Sequence, residues 1–354
     1  MTITADCKDL RTAAAKLAGI ARKQQIPILA CVHLESRAGR LWLTATDTSQ
    51  TLSLSVLALD GEISPACVSA EKLAKVAAAA SQDVGLSAAA ETLTIKHGRS
   101  RARLATLPPG DFPLPEAAMS KPIEIDSHAL GAAIVFARKA AATGDVRHYL
   151  NGVCLSTRDG LMSVVGTDGH RMHVSPVPAP GHQDGDKIFP VECADKAAEM
   201  LAAGCRISIS DRVVHIGDSV SAFTFRIIEG KYPDWRRVES SHKESEWLYC
   251  SRSDLVAAIG AAASVSDGKG AARFEFAPEI RVSAAKCQDD SSSIVDCEYH
   301  GDPREIGLAV EYKSDALTAV GTDRVMIGIC KSSVIITSGA DGDDRRAIVM
   351  EARL

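Results

Sequence analysis

The chain repeats two short signatures at almost the same spacing. Thr46-Asp47 recurs as Thr167-Asp168, 121 residues later, and Gly110-Asp111-Phe112-Pro113 recurs as Gly230-Lys231-Tyr232-Pro233, 120 residues later. Two unrelated signatures that keep one offset indicate duplication. This period divides the 354 residues into three near-equal parts. The sequence therefore predicts three copies of one domain, at residues 1–118, 119–243 and 244–354, and such chains usually build an extended surface.

Helical periodicity supports the three copies. Apolar residues recur on one face of a segment near the start of each part, which predicts the helices Cys7–Arg22, Ser127–Thr143 and Ser251–Val265. A second such segment in each part predicts the helices Ala70–Ala80, Glu192–Ala203 and Glu311–Val320. Short alternating or β-branched segments predict strands at Leu41–Thr46, Leu52–Leu57, Ser163–Val165, Arg206–Ile209, Val213–Ile216, Ala222–Ile227, Arg273–Phe276, Ile306–Val310 and Ser333–Thr337. Two helices and antiparallel strands per copy make the predicted fold class α+β.

The sequence also indicates where the copies join and which likeness falls outside the repeat. The joins between copies are predicted near 113–123, which is rich in Pro, and near 237–246, which is rich in Ser, His and charge. Gly321-Thr322-Asp323-Arg324 resembles Gly166-Thr167-Asp168-Gly169 but lies 155 residues after it, out of register with the repeat. We interpret that likeness as coincidence.

Composition narrows the class of protein. A net charge of −5 argues against a protein that coats nucleic acid with its whole surface, but it leaves room for a local basic surface. The ten cysteines include no Cys-x-x-Cys, which predicts reduced thiols in the cytoplasm. Charged residues interrupt the first ten positions, and no apolar run reaches the ~18 residues of a membrane span. We therefore expect a cytoplasmic protein with no signal peptide and no membrane partner.

An enzymatic interpretation would begin at Asp168 and His170. An Asp can orient a His as a base, but no Gly-x-Ser-x-Gly accompanies the pair, and Asp168-Gly169 also predicts a hairpin turn. His170 and His173 lack further ligands for a zinc site. No glycine-rich phosphate loop is present, so no cofactor is expected. A hydrolase that uses Asp168 and His170 remains the less favoured alternative to a protein without catalytic activity.

Several ordered blocks carry a resemblance to a known family. They are Gln25-Ile26-Pro27-Ile28-Leu29, Gly98–Pro113, Tyr149-Leu150-Asn151-Gly152, Gly166–Met172, Tyr232-Pro233-Asp234-Trp235-Arg236-Arg237-Val238 and Val349–Leu354. In this order they resemble the bacterial sliding clamp, the beta subunit of DNA polymerase III, along the whole chain. The resemblance implies three like domains per chain and a homodimeric, head-to-tail ring around duplex DNA. It also implies a processivity factor that tethers the polymerase and performs no chemistry.

Basic residues on inner helices would attract phosphates without reading sequence. The resemblance and the helix pattern together give the candidates Arg11, Arg22, Lys23, Lys72, Arg138, Lys139 and Arg147, with Lys8, Lys75, Arg252 and Lys313 beside them. The second helix of the middle copy is acidic, with Glu192, Asp195 and Glu199 against Lys196. Family members often carry basic residues at the positions of Val191 and Glu192. A DNA contact at that helix is therefore not expected to be strong.

In the family, partner peptides bind a pocket between the second and third domains. Carried over by motif, its wall is Leu150, Thr167, Gly169, His170, Arg171, Met172, Pro233, Arg237, Val238, Ile348, Val349, Met350, Arg353 and Leu354. An apolar dish with Arg at its rim suits a Leu or aromatic anchor, as in a Gln-Leu-x-Leu-Phe peptide. The other interpretation is that Met172, Val238 and Ile348 are simply core. Glu351 and Ala352 depart from the family's Pro-Met, which is expected to shrink the apolar floor and add negative charge.

The subunit joint also departs from the family. The edge strand of the first copy would place Arg99, Arg101 and Arg103 on one face and Ala102 and Leu104 on the other, and would pair with the third copy near Ser264 and Val265. Family members usually carry larger apolar residues at Ala102 and Ser264. With Arg facing Asp289 and Asp290, we expect a salt-sensitive and weaker dimer.

The implied partners are duplex DNA, the polymerase III catalytic subunit, the clamp loader, and repair polymerases, ligase and mismatch-repair proteins that bind clamps. A diverged, monomeric clamp that only binds partner peptides is the main alternative. Retention on circular but not linear DNA would separate the two, because only a closed ring is trapped topologically.

Overall fold

The computed structural model describes residues 1–21, 25–89, 91–115, 121–240, 246–266 and 270–353, without the side chains of 240, 312–314 and 319. The chain forms two compact units, one of residues 1–123 and 204–226 and the other of residues 124–203 and 227–354. The predicted middle copy therefore contributes to both units. The domain boundaries at 118 and 243 follow the repeat and stay a prediction. None of the described helices is long and apolar enough to cross a membrane.

The first copy sets an order of one helix, four strands, a second helix and three strands, preceded by one short strand. Its helices are α1 (Cys7–Ile20) and α2 (Ala70–Ala79). Its strands are β1 (Thr2–Ala5), β2 (Cys31–Arg37), β3 (Arg40–Thr46), β4 (Gln50–Gly61), β5 (Ala66–Ser69), β6 (Val84–Ala89), β7 (Thr92–His97) and β8 (Ser100–Leu107).

The middle copy keeps the same order. Its helices are α3 (Ser127–Arg138) and α4 (Val191–Ala202), followed by the short α5 (Trp235–Ser240). Its strands are β9 (Gly152–Arg158), β10 (Leu161–Thr167), β11 (Arg171–Pro178), β12 (Gly185–Pro190), β13 (Arg206–Ile209), β14 (Val213–Gly217) and β15 (Ser221–Arg226).

The last copy repeats the order once more. Its helices are α6 (Arg252–Val265) and α7 (Val310–Val320). Its strands are β16 (Glu246–Ser251), β17 (Ala271–Phe276), β18 (Glu279–Lys286), β19 (Asp289–Glu298), β20 (Arg304–Ala309), β21 (Arg324–Ile329), β22 (Ser333–Thr337) and β23 (Arg346–Met350). The two main helices of each copy pack against each other. The predicted α+β class, with its helices and antiparallel strands repeated along the chain, is confirmed.

Each first helix starts where a side chain caps it. Asp6, Asp126 and Ser251 accept hydrogen bonds from backbone N–H groups of the first turn, which otherwise have no partner in the helix. The middle helix is shorter than the predicted Ser127–Thr143, since Ala140 and Ala141 donate to carbonyls three residues back and end the α-helical ladder. Gly166 lets α3 approach β10, because a Cβ there would collide with the Ala137 carbonyl.

The strands form one continuous sheet in each unit. In the first unit the strand order is β1-β6-β7-β8-β5-β2-β3-β4-β15-β14-β13, and in the second it is β12-β9-β10-β11-β23-β22-β21-β16-β19-β18-β17-β20. Gly321 ends α7 with φ of +74°, and β21 begins at Arg324, so this Thr-Asp follows a helix and links no hairpin. The interpretation of that segment as a coincidence is confirmed.

Two strand pairs join different copies in equivalent register. β4 pairs antiparallel with β15, with Leu52 opposite Phe223, and β11 pairs antiparallel with β23, with His173 opposite Ala347. Leu52 and His173 each lie six residues after the repeated Thr, so they hold equivalent positions. The chain therefore makes the same joint twice, once within each unit.

His173 is a buried histidine at the second joint. Its side chain has no exposed surface, its ring stacks on Phe136, and its Nδ1 donates to the Phe136 carbonyl oxygen over 2.8 Å. Burial lowers the pKa of His173 to about 4, because the charged form loses its hydration. The ring is therefore neutral in the folded chain at neutral pH.

We expect the folded chain to lose stability as pH falls from about 6.5 towards 4. In this window the unfolded chain binds a proton on His173 and the folded chain does not, which costs on the order of 3 kcal/mol at the lower end. His173→Gln keeps a donor but cannot titrate there, so its free energy of unfolding, measured by urea denaturation, should depend less on pH. Carboxylates titrate in both chains, so the difference between the two pH profiles reports His173. Equal pH dependence of the free energy of unfolding in both chains would contradict this prediction.

Candidate peptide-binding cavity

A cavity of about 220 Å³ opens beside the second joint, within the second unit. We call it cavity A. The β10–β11 hairpin, the end of β23, α5 and the segment before β9 supply its wall. The lining residues are Arg147, Leu150, Thr167, Gly169, Arg171, Met172, Pro233, Trp235, Val238, Ile348 and Met350.

The hairpin that forms one wall is held by its own polar groups. The Thr167 hydroxyl donates to the Arg171 carbonyl over 2.6 Å and accepts from the Gly169 N–H over 3.1 Å. Gly169 has φ of +94°, a left-handed conformation that glycine adopts without strain. The Met350 N–H donates to the His170 carbonyl over 2.9 Å, so β23 continues along the turn. This arrangement fixes the position of Met350 at the mouth of cavity A.

The floor of cavity A is apolar and its rim is accessible. Leu150, Met172 and Ile348 are at most 4% exposed, and Trp235 is 5% exposed. Val238 is 38% exposed, so a large apolar side chain stands at the surface beside a buried apolar floor. Met172 and Ile348 are thus both core residues and cavity residues. Such a site favours an apolar side chain that inserts from outside.

Arginine supplies the positive charge at the rim. Arg171 is held between Asp168, at 3.0 Å from its Nε, and Asp315, at 2.6 Å from its Nη1. Arg147 binds the Asp145 carboxylate with two hydrogen bonds of 3.0 and 2.8 Å, and donates to the Asp168 carbonyl. These hydrogen bonds lower the pKa of Asp145 to about 2. Both arginines are fixed in place before any ligand arrives.

A second, polar cavity of about 470 Å³ adjoins cavity A and shares Arg147 and Arg171 with it. His170 lines this polar cavity and not cavity A. Asp168 directs one oxygen at the His170 and Arg171 N–H groups and the other at Arg171 Nε. Its carboxylate therefore shapes the turn, and this use disfavours the alternative in which it orients His170 as a catalytic base.

The two histidines of the zinc hypothesis have different environments. His173 is buried against Phe136, whereas His170 is exposed in the turn. Within the described residues, no cluster of three or more His, Cys, Asp or Glu side chains is arranged to hold a metal ion.

Nine of the predicted wall residues line cavity A. Val349 does not, because its side chain is fully buried in the core of the last copy, against α6 and α7. Arg237 and Arg353 also lie outside the lining, and Leu354 is beyond the described residues. Neither Glu351 nor Ala352 lines cavity A. Their N–H groups donate to the Ser332 and Gly307 carbonyls. The expected smaller floor and added negative charge stay predictions, since neither side chain contributes to the lining.

Sequence reasoning missed two residues of cavity A. Trp235 lies inside the quoted Tyr232–Val238 block, and its buried indole Nε1 has no hydrogen-bond partner among the described residues. Arg147 was assigned to DNA, but it lines cavity A. The signal for Arg147 was its place just before the Tyr149–Gly152 block.

The other basic candidates lie in varied settings. Arg11 donates to the Ala77 and Ala80 carbonyls at the end of α2. Lys72 is exposed near the start of α2, and Lys139 is half-buried at the end of α3. Arg138 Nε lies 3.4 Å from the Asp195 carboxylate on α4, and Lys196 pairs with Glu199. Arg22 and Lys23 are outside the described residues.

The strand residues of the expected joint lie at open sheet edges, whereas Ser264 and Val265 are the last two residues of α6. The contact of the first copy near Ser264 and Val265 stays a prediction, but a strand there could pair, among the described strands, only with β19, which packs against α6. β8 pairs with β7 along its length but with β5 only at Thr106 and Leu107. β19 pairs with β18 from Asp289 to Asp296 but with β16 only at its last two residues. Arg101 and Arg103 are exposed, while Ala102 and Leu104 are half-buried. Arg99 lies in the turn before β8, so its placement on the strand face is wrong.

Comparison with known proteins decides the family. The family model for the N-terminal domain of the DNA polymerase III beta subunit matches residues 1–116, and the model for its central domain matches 124–234. The beta sliding clamp of Pseudomonas aeruginosa is 32% identical over 351 residues, which is 95% of each chain. The chain belongs to the family of bacterial beta sliding clamps. It is therefore an accessory subunit of DNA polymerase III and not an enzyme.

Solved clamps have the same fold along the whole chain. The crystal structure of the DNA polymerase III beta subunit of Pseudomonas aeruginosa matches with a TM-score of 0.92 and 28% identity, covering all of both chains. The sliding clamp of Caulobacter crescentus matches with a TM-score of 0.90 at 24% identity, which supports the fold alone. The sliding-clamp resemblance seen in the sequence is confirmed.

Proposed function

We propose that the chain closes a homodimeric ring around duplex DNA in the cytoplasm and tethers the replicative polymerase through cavity A. The observation that carries the docking role is the apolar floor of cavity A beneath an accessible rim with two fixed arginines. Its partners are DNA and the polymerase, with the clamp loader, repair polymerases, ligase and mismatch-repair proteins as further users of the same site. Because the site is small, these partners compete for it.

Cavity A suits a Gln-Leu-x-Leu-Phe segment. Leu and Phe anchors fill an apolar floor made by Met172, Leu150 and Ile348, and each buried anchor contributes about 1.5–3 kcal/mol. An acidic residue at x would lie near Arg147 or Arg171, whose side chains are already ordered by Asp145 and Asp315. Ordered arginines lose less entropy on binding than mobile ones, so a hydrogen bond that they donate to the peptide costs less conformational entropy.

The two joints inside the chain support a proposal for the ring joint. By their order in the copies, β19 is equivalent to β4 and β11, and β8 is equivalent to β15 and β23. In the proposed ring, the open edge of β19 pairs with the open edge of β8 from the partner subunit and forms a third joint of the same kind. If this joint keeps the register of the other two, Ser291 lies opposite the partner subunit's Ala102, and Asp290 lies opposite the partner subunit's Arg103. The pairing is head to tail, and each ring contains it twice.

DNA contact in this ring is sequence-independent. Lys72 and Lys139 are exposed or half-exposed on the helices and have room to approach phosphates. Arg147 serves cavity A, and Arg138 and Lys196 face carboxylates on α4. The chain therefore attracts DNA weakly at the middle copy, which suits sliding.

Topological trapping tests the ring. After loading onto nicked circular duplex DNA by a clamp loader and ATP, the chain should co-elute with the DNA in gel filtration at moderate salt. Cutting the same DNA once should release it, because a closed ring slides off an end. The measurement is the bound fraction before and after the cut.

Two outcomes would contradict the ring. Equal retention on circular and linear DNA would indicate ordinary electrostatic binding. No retention on either, while cavity A still binds the peptide, would support the alternative of a diverged clamp that acts as a monomeric adaptor.

A further inference from the structure

A cavity in the first unit occupies the position equivalent to cavity A. This cavity B has a volume of about 360 Å³ and lies beside the joint between β4 and β15. Its first wall is the hairpin after the repeated Thr-Asp, where Thr46 and Thr51 stand in the places of Thr167 and Met172. Thr48 has φ of +76° where Gly169 has +94°, so the hairpin keeps its shape although the residue differs.

The other walls correspond as well. Pro113 follows the Gly-x-aromatic signature of the first copy, as Pro233 does in the second. Arg226 ends β15 in the place that Met350 holds at the end of β23. Cavity B is thus a second copy of the peptide cavity, made by duplication.

The chemistry of cavity B has changed. Met172, Ile348 and Met350 are replaced by Thr51, Thr224 and Arg226, so hydroxyl groups and one cation take the place of apolar side chains. Among the described residues, Arg226 is the one charged residue of this lining, and it is exposed. The nearby Asp47 carboxylate accepts hydrogen bonds from Ser49 and Gln50 of its own turn.

We propose that cavity B docks an extended peptide segment with an acidic side chain, supplied by a partner protein. The carboxylate pairs with Arg226, and the exposed side chains of Thr48 and Ser49 in the turn contact the polar peptide backbone. The Thr46 and Thr51 hydroxyl groups hold the hairpin instead, because Thr51 donates to Thr46 and Thr46 donates to the Gln50 carbonyl. Half-exposed Leu114 and its flanking prolines form a rigid wall against which the segment lies. The proposal rests on cavity A being a peptide site, since the equivalence of the two cavities carries it.

A selection followed by direct binding tests the proposal. A random heptapeptide display library is selected on the Val238→Asp chain, in which cavity A is blocked, and enriched sequences are synthesised with blocked ends. We expect Asp or Glu in the enriched sequences and binding at least ~10-fold weaker to Arg226→Gln, because a charge-assisted hydrogen bond is lost. Arg206→Gln removes another exposed charge from the same unit and should leave binding unchanged. Leu114→Glu should weaken binding by repulsion.

Failure of this proposal differs from failure of cavity A. No enrichment, enriched sequences without an acid, or equal losses in Arg226→Gln and Arg206→Gln would each overturn the role of cavity B. Acetyl-Gln-Leu-Asp-Leu-Phe-amide should bind Arg226→Gln as it binds the parent chain. If this peptide does not bind the parent chain, the proposal that cavity A is a peptide-binding site is overturned instead.

Discussion

Val238→Asp is expected to weaken binding of acetyl-Gln-Leu-Asp-Leu-Phe-amide by about 100-fold. Val238 stands at the rim of cavity A, 38% exposed, beside the buried Met172 and Ile348. A carboxylate there would be pressed against the Leu and Phe anchors and lose hydration without gaining a hydrogen bond, a cost of about 2–3 kcal/mol. Isothermal titration calorimetry on the dimeric chain measures the change. The exposed position means that the fold should tolerate the substitution.

Val220→Asp is the matched control. Val220 has nearly the same exposure, 37%, lies in the β14–β15 turn of the first unit, and is not part of the lining of cavity A. It should leave peptide affinity unchanged. Met350→Ala, which removes apolar surface at the mouth of cavity A, should weaken binding about 10-fold. Equal effects of Val238→Asp and Val220→Asp, or none from either, would show that the peptide binds elsewhere.

The fold was predictable where one copy of the repeat explained another. Helix positions followed from apolar periodicity. The N-caps Asp6 and Asp126 lie just before the predicted helices, and Ser251, predicted as the first helical residue, is the N-cap of the third. Strands such as β19 were missed because Asp289-Asp290-Ser291-Ser292-Ser293 shows neither alternation nor β-branched residues. The pairing with β18, and not intrinsic preference, makes this segment a strand.

The candidate site was predictable only as far as motifs reach. Thr167, Met172 and Pro233 lie in family blocks and line cavity A, as predicted. Successive side chains of a strand point to opposite faces, so Val349 points into the core while Ile348 and Met350 line the cavity. Arg147 was not predicted at cavity A, and its predicted contact with DNA stays a prediction. A charged residue near a helix fits DNA as well as a pocket, and only the position of Asp145 and the β10–β11 turn separates the two.

Ala102→Phe combined with Ser291→Leu is expected to tighten the dimer by about 30-fold or more. These substitutions copy the first internal joint into the subunit joint, because Phe223 and Leu52 hold the equivalent positions and face each other there. The additional apolar surface buried at each joint would stabilise the dimer by about 1 kcal/mol or more. Both joints break when a ring dissociates, so the two contributions add. Analytical ultracentrifugation across a dilution series measures the dimer dissociation constant.

The register of the joint makes this prediction specific. Ala102→Phe with Ser292→Leu puts the same side chains one residue out of step, where Ser292 faces the opposite side of β19, and should tighten the dimer far less. The parent dimer should weaken with added salt, because the proposed joint pairs Asp290 with the partner subunit's Arg103, and both positions are exposed in the single chain. The tightened dimer should depend less on salt. If dilution and salt leave the mass of the parent dimer unchanged, the polar joint does not weaken the dimer. If both double substitutions act equally, the pairing repeats a different register from the two joints inside the chain.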